Sequence, residues 1–455
     1  MGSAVKQQGF LSLLILFILI CTRAYAGSEG QLTLKDAVEQ ALSSSPVMEQ
    51  TQARVTQARA AIHESRAAFF PHIDMYLEYL RGDAPSAYLF KTIDARRLPP
   101  QADFNDPGRF DNFETGARAR MNLFAGGSHS LNRSRAEQGL KQALSGQKAA
   151  TNDLVAAVVD TYLAMLSAAD AIDIAEQSVS LVEREIQSAQ VRYEGGSLLR
   201  ADLLSLEVRR AQAREQVINA QAAYENLKAA LRNLLDMEAT APLEPVSDEL
   251  GYNPPQSFEK ALQIALGQRP ELISAAAEVE SSNLQKKIAQ AEYLPRVDLE
   301  ARLYHDDPHP SYNDDQLNWT LGANLSWEIF SGFATRARVQ RAEGLSAESR
   351  ANQKRLRRRI ELEVRQAWLE LQQARARTEV TQAAVEQAAE AYHLVQTRFS
   401  GGATEITRYL EAELALNRSR MQALSAQRDQ QRAVADLARA MGGWAQPKLR
   451  KNMTR

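Results

Sequence analysis

The chain has 455 residues, 44% of them hydrophobic, and a formal net charge of −2. Its apolar content excludes a wholly disordered chain, and its near-neutral charge excludes bulk nucleic-acid binding, which needs a strongly basic face. A single cysteine, Cys21, excludes an intramolecular disulfide framework.

At the N-terminus Lys6 precedes an apolar run from Phe10 to Ile20, followed by "TRAYA". Ala24 and Ala26 fit an A-x-A cleavage pattern, and the run is too short to span a bilayer. Residues 1–26 are therefore expected to be a secretory signal peptide. Cys21 falls inside it, and bulky Ile20 just before it argues against lipoprotein processing. The mature chain would then have no thiol, hence no thiolate metal site and no cysteine nucleophile.

From about Lys35 to Phe69 the chain is rich in Ala, Gln, Glu and Arg, which predicts one helix, ended by Pro71. Over 70–80, Ile73, Met75, Leu77 and Tyr79 alternate with His72, Asp74, Tyr76 and Glu78, a period-two strand signal. Residues 81–109 read as a loop. Over 110–124, Phe113, Thr115, Ala117, Ala119, Met121 and Leu123 alternate with Glu114, Gly116, Arg118, Arg120 and Asn122. A long helical hairpin follows over 126–236. Val155, Val159, Tyr162, Leu166 and Ala169 are spaced as a coiled-coil seam, and the turn is "RYEGG". The proline-rich stretch 237–256 reads as a linker.

The same succession then repeats. "TLKDAVEQALSSSP" resembles "SFEKALQIALGQRP" at an offset of 224 residues, and Pro71 matches Pro295 at that offset. "NLFAGG" matches "EIFSGF" and "VRYEGG" matches "TRFSGG" at 206. The first copy thus carries 18 extra residues between its proline and its Leu-Phe motif, and an insertion confined to one place marks a surface loop. The second copy, 257–443, is expected to hold a helix, a strand over 295–304, a loop over 305–317, a strand over 318–330 and a helical hairpin over 332–441. In its strands Val297, Leu299, Ala301 and Leu303 oppose Arg296, Asp298, Glu300 and Arg302. Trp319, Leu321, Ala323, Leu325, Trp327 and Ile329 oppose Thr320, Gly322, Asn324, Ser326 and Glu328. Leu356, Ile360, Val364, Ala367 and Leu371 form the second seam. The "HDDPHP" run, His305 to Pro310, reads as a short acidic surface loop rather than a metal site. Residues 444–455 form a basic tail. At helical rise each long helix is roughly 100 Å, so an elongated molecule is expected.

Four strands of about 8–11 residues, each with polar or charged groups on one face and mainly apolar groups on the other, fit transmembrane strands. Aromatic residues near their ends (Phe69, Phe70, Tyr79, Phe110, Phe124, Tyr293, Tyr304, Trp319, Phe330) fit interface girdles. A soluble sheet with one wet face is the competing reading. In hydrocarbon no strand edge stays unpaired, and small barrels need about eight strands, so other chains must complete the wall.

The tandem repeat, the "LFAGG" and "IFSGF" motifs and the "RYEGG" and "RFSGG" turns together resemble the TolC-like outer membrane efflux family, over essentially the whole mature chain. The resemblance implies a mainly α fold with a membrane β-barrel contribution. The protomer would be a tandem repeat giving four strands to a trimeric, 12-stranded barrel, and long antiparallel coiled-coil helices forming a periplasmic tunnel. It implies an outer-membrane exit duct for tripartite efflux or type I secretion in a Gram-negative bacterium. The implied partners are two further copies, a periplasmic adaptor (membrane fusion) protein, an inner-membrane transporter of RND, ABC or MFS type, and outer-membrane lipid. Adaptor docking falls on the tip turns Gly195, Gly196, Gly401 and Gly402. Acidic residues after such turns constrict the family's tunnel mouth. Asp202 keeps that position, Arg408 stands where an Asp is common, and Glu411 is left to supply an acidic ring. Asp202 and Arg408 could also pair across neighbouring hairpins. The barrel lumen would be lined by Asp74, Glu78, Glu114, Arg118, Arg120, Arg296, Asp298, Glu300, Arg302 and Glu328, a mixture of signs that suits a broad aqueous path.

No cofactor, metal or nucleic acid is expected, and the chain lacks a phosphate-binding glycine loop, a G-x-S-x-G elbow and an H-E-x-x-H helix, so an enzyme is not expected. The alternative is a periplasmic coiled-coil adaptor or scaffold without a membrane barrel. The exported substrate is not legible.

Overall fold

The computed structural model describes residues 31–101, 103, 105–246, 251–310 and 316–445. The expected signal peptide, Cys21 and nearly all of the basic tail lie outside the described residues. The chain divides into two compact units, one of Met1–Thr51, Gln147–Pro270 and Arg357–Arg455, the other of Gln52–Gly146 and Glu271–Leu356.

In chain order the elements are β1 (Gln31–Leu32), α1 (Leu34–Ser44), α2 (Pro46–Arg66), β2 (His72–Gly82), α3 (Pro85–Asp94), β3 (Phe110–Ala125), α4 (Ser128–Glu194) and α5 (Arg200–Leu234). Then come β4 (Glu244–Pro245), α6 (Phe258–Gln268), α7 (Pro270–Ala291), β5 (Arg296–Asp307), β6 (Leu317–Ser326), α8 (Ala334–Ser400) and α9 (Ile406–Ala440). The helix expected over Lys35–Phe69 is two helices. Pro46 forces Ser45 into extended backbone (ψ 128°) and restarts the helix with its own ring at the first position. Pro270 does the same after Arg269 in the second copy. Thr33 and Ser257 accept the N–H of the residue three further on (Asp36, 3.2 Å, and Lys260, 3.3 Å), matching N-caps on the matching helices.

The unit that holds Gln147–Pro270 is helical apart from one small ribbon. Val155, Val158, Val159, Tyr162, Leu163 and Met165 of α4 are all at most 1% exposed. A stretch of α4 is apolar enough to cross a membrane by length and composition, and these six side chains pack inside the chain. The linker is also structured in part: β4 pairs in parallel with β1, and the Tyr162 hydroxyl donates to Leu32 O (2.8 Å) or Val246 O (2.6 Å) beside that pairing. Leu243 is buried there.

In the other unit β2, β3, β5 and β6 form one antiparallel sheet in that order. Met75 faces Ala117, Ala117 faces Leu303, and Leu303 faces Trp319. In this row the small Ala117 sits between the larger Met75 and Leu303. A bulge at Leu123 interrupts the β3–β5 register and adds local twist. The expected strand bounds shift at both ends of the second hairpin. β6 stops at Ser326, leaving Trp327, Glu328, Ile329 and Phe330 beyond it. β5 runs on through His305, Asp306 and Asp307. Those three residues are at most 6% exposed, so the first half of "HDDPHP" is a buried strand end and not a surface loop. The expected loop 81–109 contains α3, started by Pro85.

Candidate functional site

Alternation places His72, Asp74, Tyr76 and Glu78 on one face of the sheet, with Glu114, Arg118, Arg120, Arg296, Asp298, Glu300 and Arg302 on the same face. The opposite face is apolar and open: Ile73 is 72% exposed, Met75 85%, Trp319 75% and Leu325 66%. At its outer end, by contrast, Asp307 lies on the same face by register and is buried beneath its partner Arg97. β2 and β6 are the sheet's two outer strands, so each offers one row of backbone groups for further pairing.

The charged face pairs its own signs. Arg120 reaches Asp74 at 2.5 Å, and Arg118 lies 3.9 Å from Glu300. Asn122 donates to Asp298 at 2.7 Å. Glu78 stands directly opposite Glu114, a like-charge pair made tolerable by the cations on Glu114. Arg302 binds Glu114 at 2.5 Å, Tyr76 donates to it at 2.6 Å, and Lys91 of α3 also pairs with it. Gly116 is needed here: a Cβ on it would sit 2.6 Å from Leu303 O and 3.0 Å from the Tyr76 hydroxyl. Lys91 bonds Asp306 as well, at 3.1 Å, and Asn112 donates to Asp306 at 2.6 Å. Burial pulls the Lys91 ammonium down, but the Glu114 and Asp306 carboxylates outweigh it, and its pKa lies above the ordinary lysine value. Glu328, expected on this face, lies past the end of β6.

The two turns expected at the helical tip have one geometry. Ser197 N–H donates to Arg192 O (2.8 Å) and Gly196 N–H to Tyr193 O (3.0 Å). Ala403 and Gly402 repeat this on Arg398 O (2.8 Å) and Phe399 O (3.0 Å). These are Schellman closures, and Gly196 and Gly402 both have φ of 72°. Gly195 and Gly401 are the residues before them and do not have positive φ. Asp202 sits in the first turn of α5. Arg408 and Glu411 are both on α9, 4.0 Å apart and more than 70% exposed. Among the described residues no ion pair within the chain joins Asp202 to either.

Sequence reading missed the contacts that bind the two hairpins together. Arg192 lies over the Phe399 ring at 4.3 Å, donates to Phe399 O at 3.1 Å and pairs with Glu185 at 2.8 Å. Phe399 stacks on Tyr409, whose hydroxyl is 3.2 Å from that of Tyr392. Burial pushes both phenols above the ordinary tyrosine value, Tyr409 well above it. Further along, Arg209 Nε donates to Glu413 Oε2 at 2.7 Å, with Nη2 equally close but poorly aligned. Ser178 donates to the other Glu413 oxygen at 2.9 Å and accepts from Asn417 at 3.1 Å. Arginines and a glutamate inside helical heptads carry no local signal of a partner some 200 residues away.

Residues 37–236 and 261–443 match the sequence profile of the outer membrane efflux protein family. The alkaline protease secretion protein AprF of Pseudomonas aeruginosa is 27% identical over 326 residues, 68% of this chain and 64% of AprF. The match therefore spans slightly less than two thirds of that relative. Protein CyaE of Bordetella pertussis is 26% identical over 356 residues, 77% of this chain and 71% of CyaE. In three dimensions the outer-membrane channel OprN is similar with a TM-score of 0.79 at 20% identity, covering 91% of each chain. That likeness is one of fold. The profile match takes in both copies of the repeat, including all four long strands and all four helices of the two hairpins: the chain belongs to the outer membrane efflux protein family.

Proposed function

We propose that three copies of this chain close a 12-stranded barrel in the outer membrane and continue it into the periplasm as a helical duct, a passive conduit rather than an enzyme. The single observation that carries this reading is a four-stranded sheet with a bare apolar face and two unpaired edges. In water such a surface invites aggregation. In lipid it is the required outer wall, and only pairing of β2 with β6 of the next copy removes the edges. A periplasmic adaptor without a barrel would have no cover for Ile73, Met75 and Trp319.

The charged face then lines the water path, with Asp74, Arg120, Arg118 and Glu300 as paired, wet charges of both signs. The turns at Gly195–Gly196 and Gly401–Gly402 are where a periplasmic adaptor docks, and an inner-membrane transporter of RND, ABC or MFS type feeds the duct through it. AprF is named for secretion of a protease, and that likeness favours type I secretion of a polypeptide over drug efflux. Outer-membrane fractions run unheated in detergent gels are expected to give a trimer band that collapses to monomer on boiling. Release of the chain from membranes by a salt wash would contradict the reading.

A further inference from the structure

The insertion that sets the first copy apart is not a free outer loop. α3 is fastened to the charged face of the sheet, and its anchors identify the side. Lys91 holds Glu114 and Asp306, and the Tyr304 hydroxyl donates to the Asp94 carboxylate at 3.1 Å. Asn318 donates to Asp94 O at 2.9 Å. Glu114, Tyr304, Asp306 and Asn318 all share the face that carries Asp74 and Arg302. The turn after α3 reaches the strand ends: Arg96, at a positive φ of 51°, donates to the backbone Leu317 O at 3.4 Å, and Arg97 pairs at 2.8 Å with Asp307, which register places on the opposite face. Coverage follows the anchors. The Asp306 and Glu114 side chains under α3 are 0% and 5% exposed, whereas those of Asp74 and Glu300 farther down the strands are both 47%.

On its other side α3 leaves Phe90 66% and Ile93 46% exposed, one turn apart. Twelve strands about 4.8 Å apart and tilted about 40° close at a backbone radius of roughly 12 Å. Three helices each about 10 Å across, lying on the inside of such a wall, have no room to avoid one another. We propose that α3 is an inward-folded stopper at the outer mouth, that the occupant of its Phe90–Ile93 face is the α3 of the two other copies, and that the Lys91 pairs with Glu114 and Asp306 are the latch cargo must break to leave. This rests on the trimeric barrel reading. It gives a role to a half-buried lysine clamped between two buried carboxylates from two strands: removing the lysine leaves both carboxylates buried and uncompensated.

The test uses the full chain in whole cells, with assembly checked first by the unheated trimer band. Absence of trimers would refute the barrel reading itself. Given trimers, oxidation of a Phe90→Cys chain is expected to give disulfide-linked dimers. Separately, a bulky membrane-impermeant maleimide added outside is used to label an Asn324→Cys site on the inner face of β6. Labelling is expected to quicken on the order of tenfold in a Lys91→Met background and to stay at its original rate with Lys91→Arg. A Phe90→Ala/Ile93→Ala chain, which leaves the latch intact, gives the same quickening and serves if Lys91→Met does not assemble. Trimers without Phe90→Cys dimers, or labelling unmoved by both sets of substitutions, would overturn the stopper.

Discussion

Arg209 and Glu413 form the most deeply buried ion pair in the helical hairpins, with side chains 7% and 4% exposed. Removing one partner strands the other without water. Glu413→Ala is therefore expected to cost about 3–5 kcal/mol in denaturant unfolding followed by circular dichroism, while Arg209→Met combined with Glu413→Leu recovers most of that loss. Equal losses in the single and double variants would contradict the pairing as the cause. Glu411 is the opposite case, an exposed carboxylate 4.0 Å from the Arg408 guanidinium. As a threefold ring at the tip it would attract cations by summed charge, so Glu411→Ala is expected to shift the reversal potential in bilayer recordings toward lower cation selectivity. An unmoved potential would take Glu411 out of the constriction. At this scale the wet charges were legible, because period-two alternation assigns each to a face. The burial of Glu114 was not, since it depends on Lys91, which reaches it from a helix outside the strand pattern.

The elements were legible where a local rule governs them. The glycine pairs predicted two reversals, and each pair contains one residue that must be glycine and one that need not be. Gly196 and Gly402 hold φ of 72°, while a Cβ on Gly195 would meet its nearest atom, Val191 O, at 3.4 Å, an ordinary contact. Gly196→Ala is expected to lower the stability of the hairpin by about 1–2 kcal/mol, and Gly195→Ala to leave it nearly unchanged. Unfolding midpoints of the two variants decide it, and an equal fall in both would contradict the Schellman geometry. Other boundaries were misjudged because a strong average hid a local breaker. Pro46 and Pro270 each sit inside a helix-rich stretch, and each ends one helix and starts the next. β5 outran its expected end because Asp306 and Asp307 look like loop residues until Asn112, Lys91 and Arg97 supply their partners.

For the whole molecule, the repeat was the informative signal. Two copies of helix, strand, strand and hairpin imply a sheet of four strands, and the order β2-β3-β5-β6 joins the two hairpins through β3 and β5. Among the described residues no further strand joins that sheet. Under the proposed barrel, lipid and other copies satisfy the apolar face and the two open edges, and the proposed export role rests on that closure. The direct measurement is disulfide formation between single cysteines scanned along the apolar faces of β2 (Ile73, Met75, Leu77) and β6 (Trp319, Leu321, Leu325). Chains carrying one of each are predicted to link into closed trimers on non-reducing gels, in a register set by one β2–β6 pairing. A linked monomer, in which β2 meets β6 of its own chain, or no linkage at any register in intact outer membranes, would contradict a shared barrel.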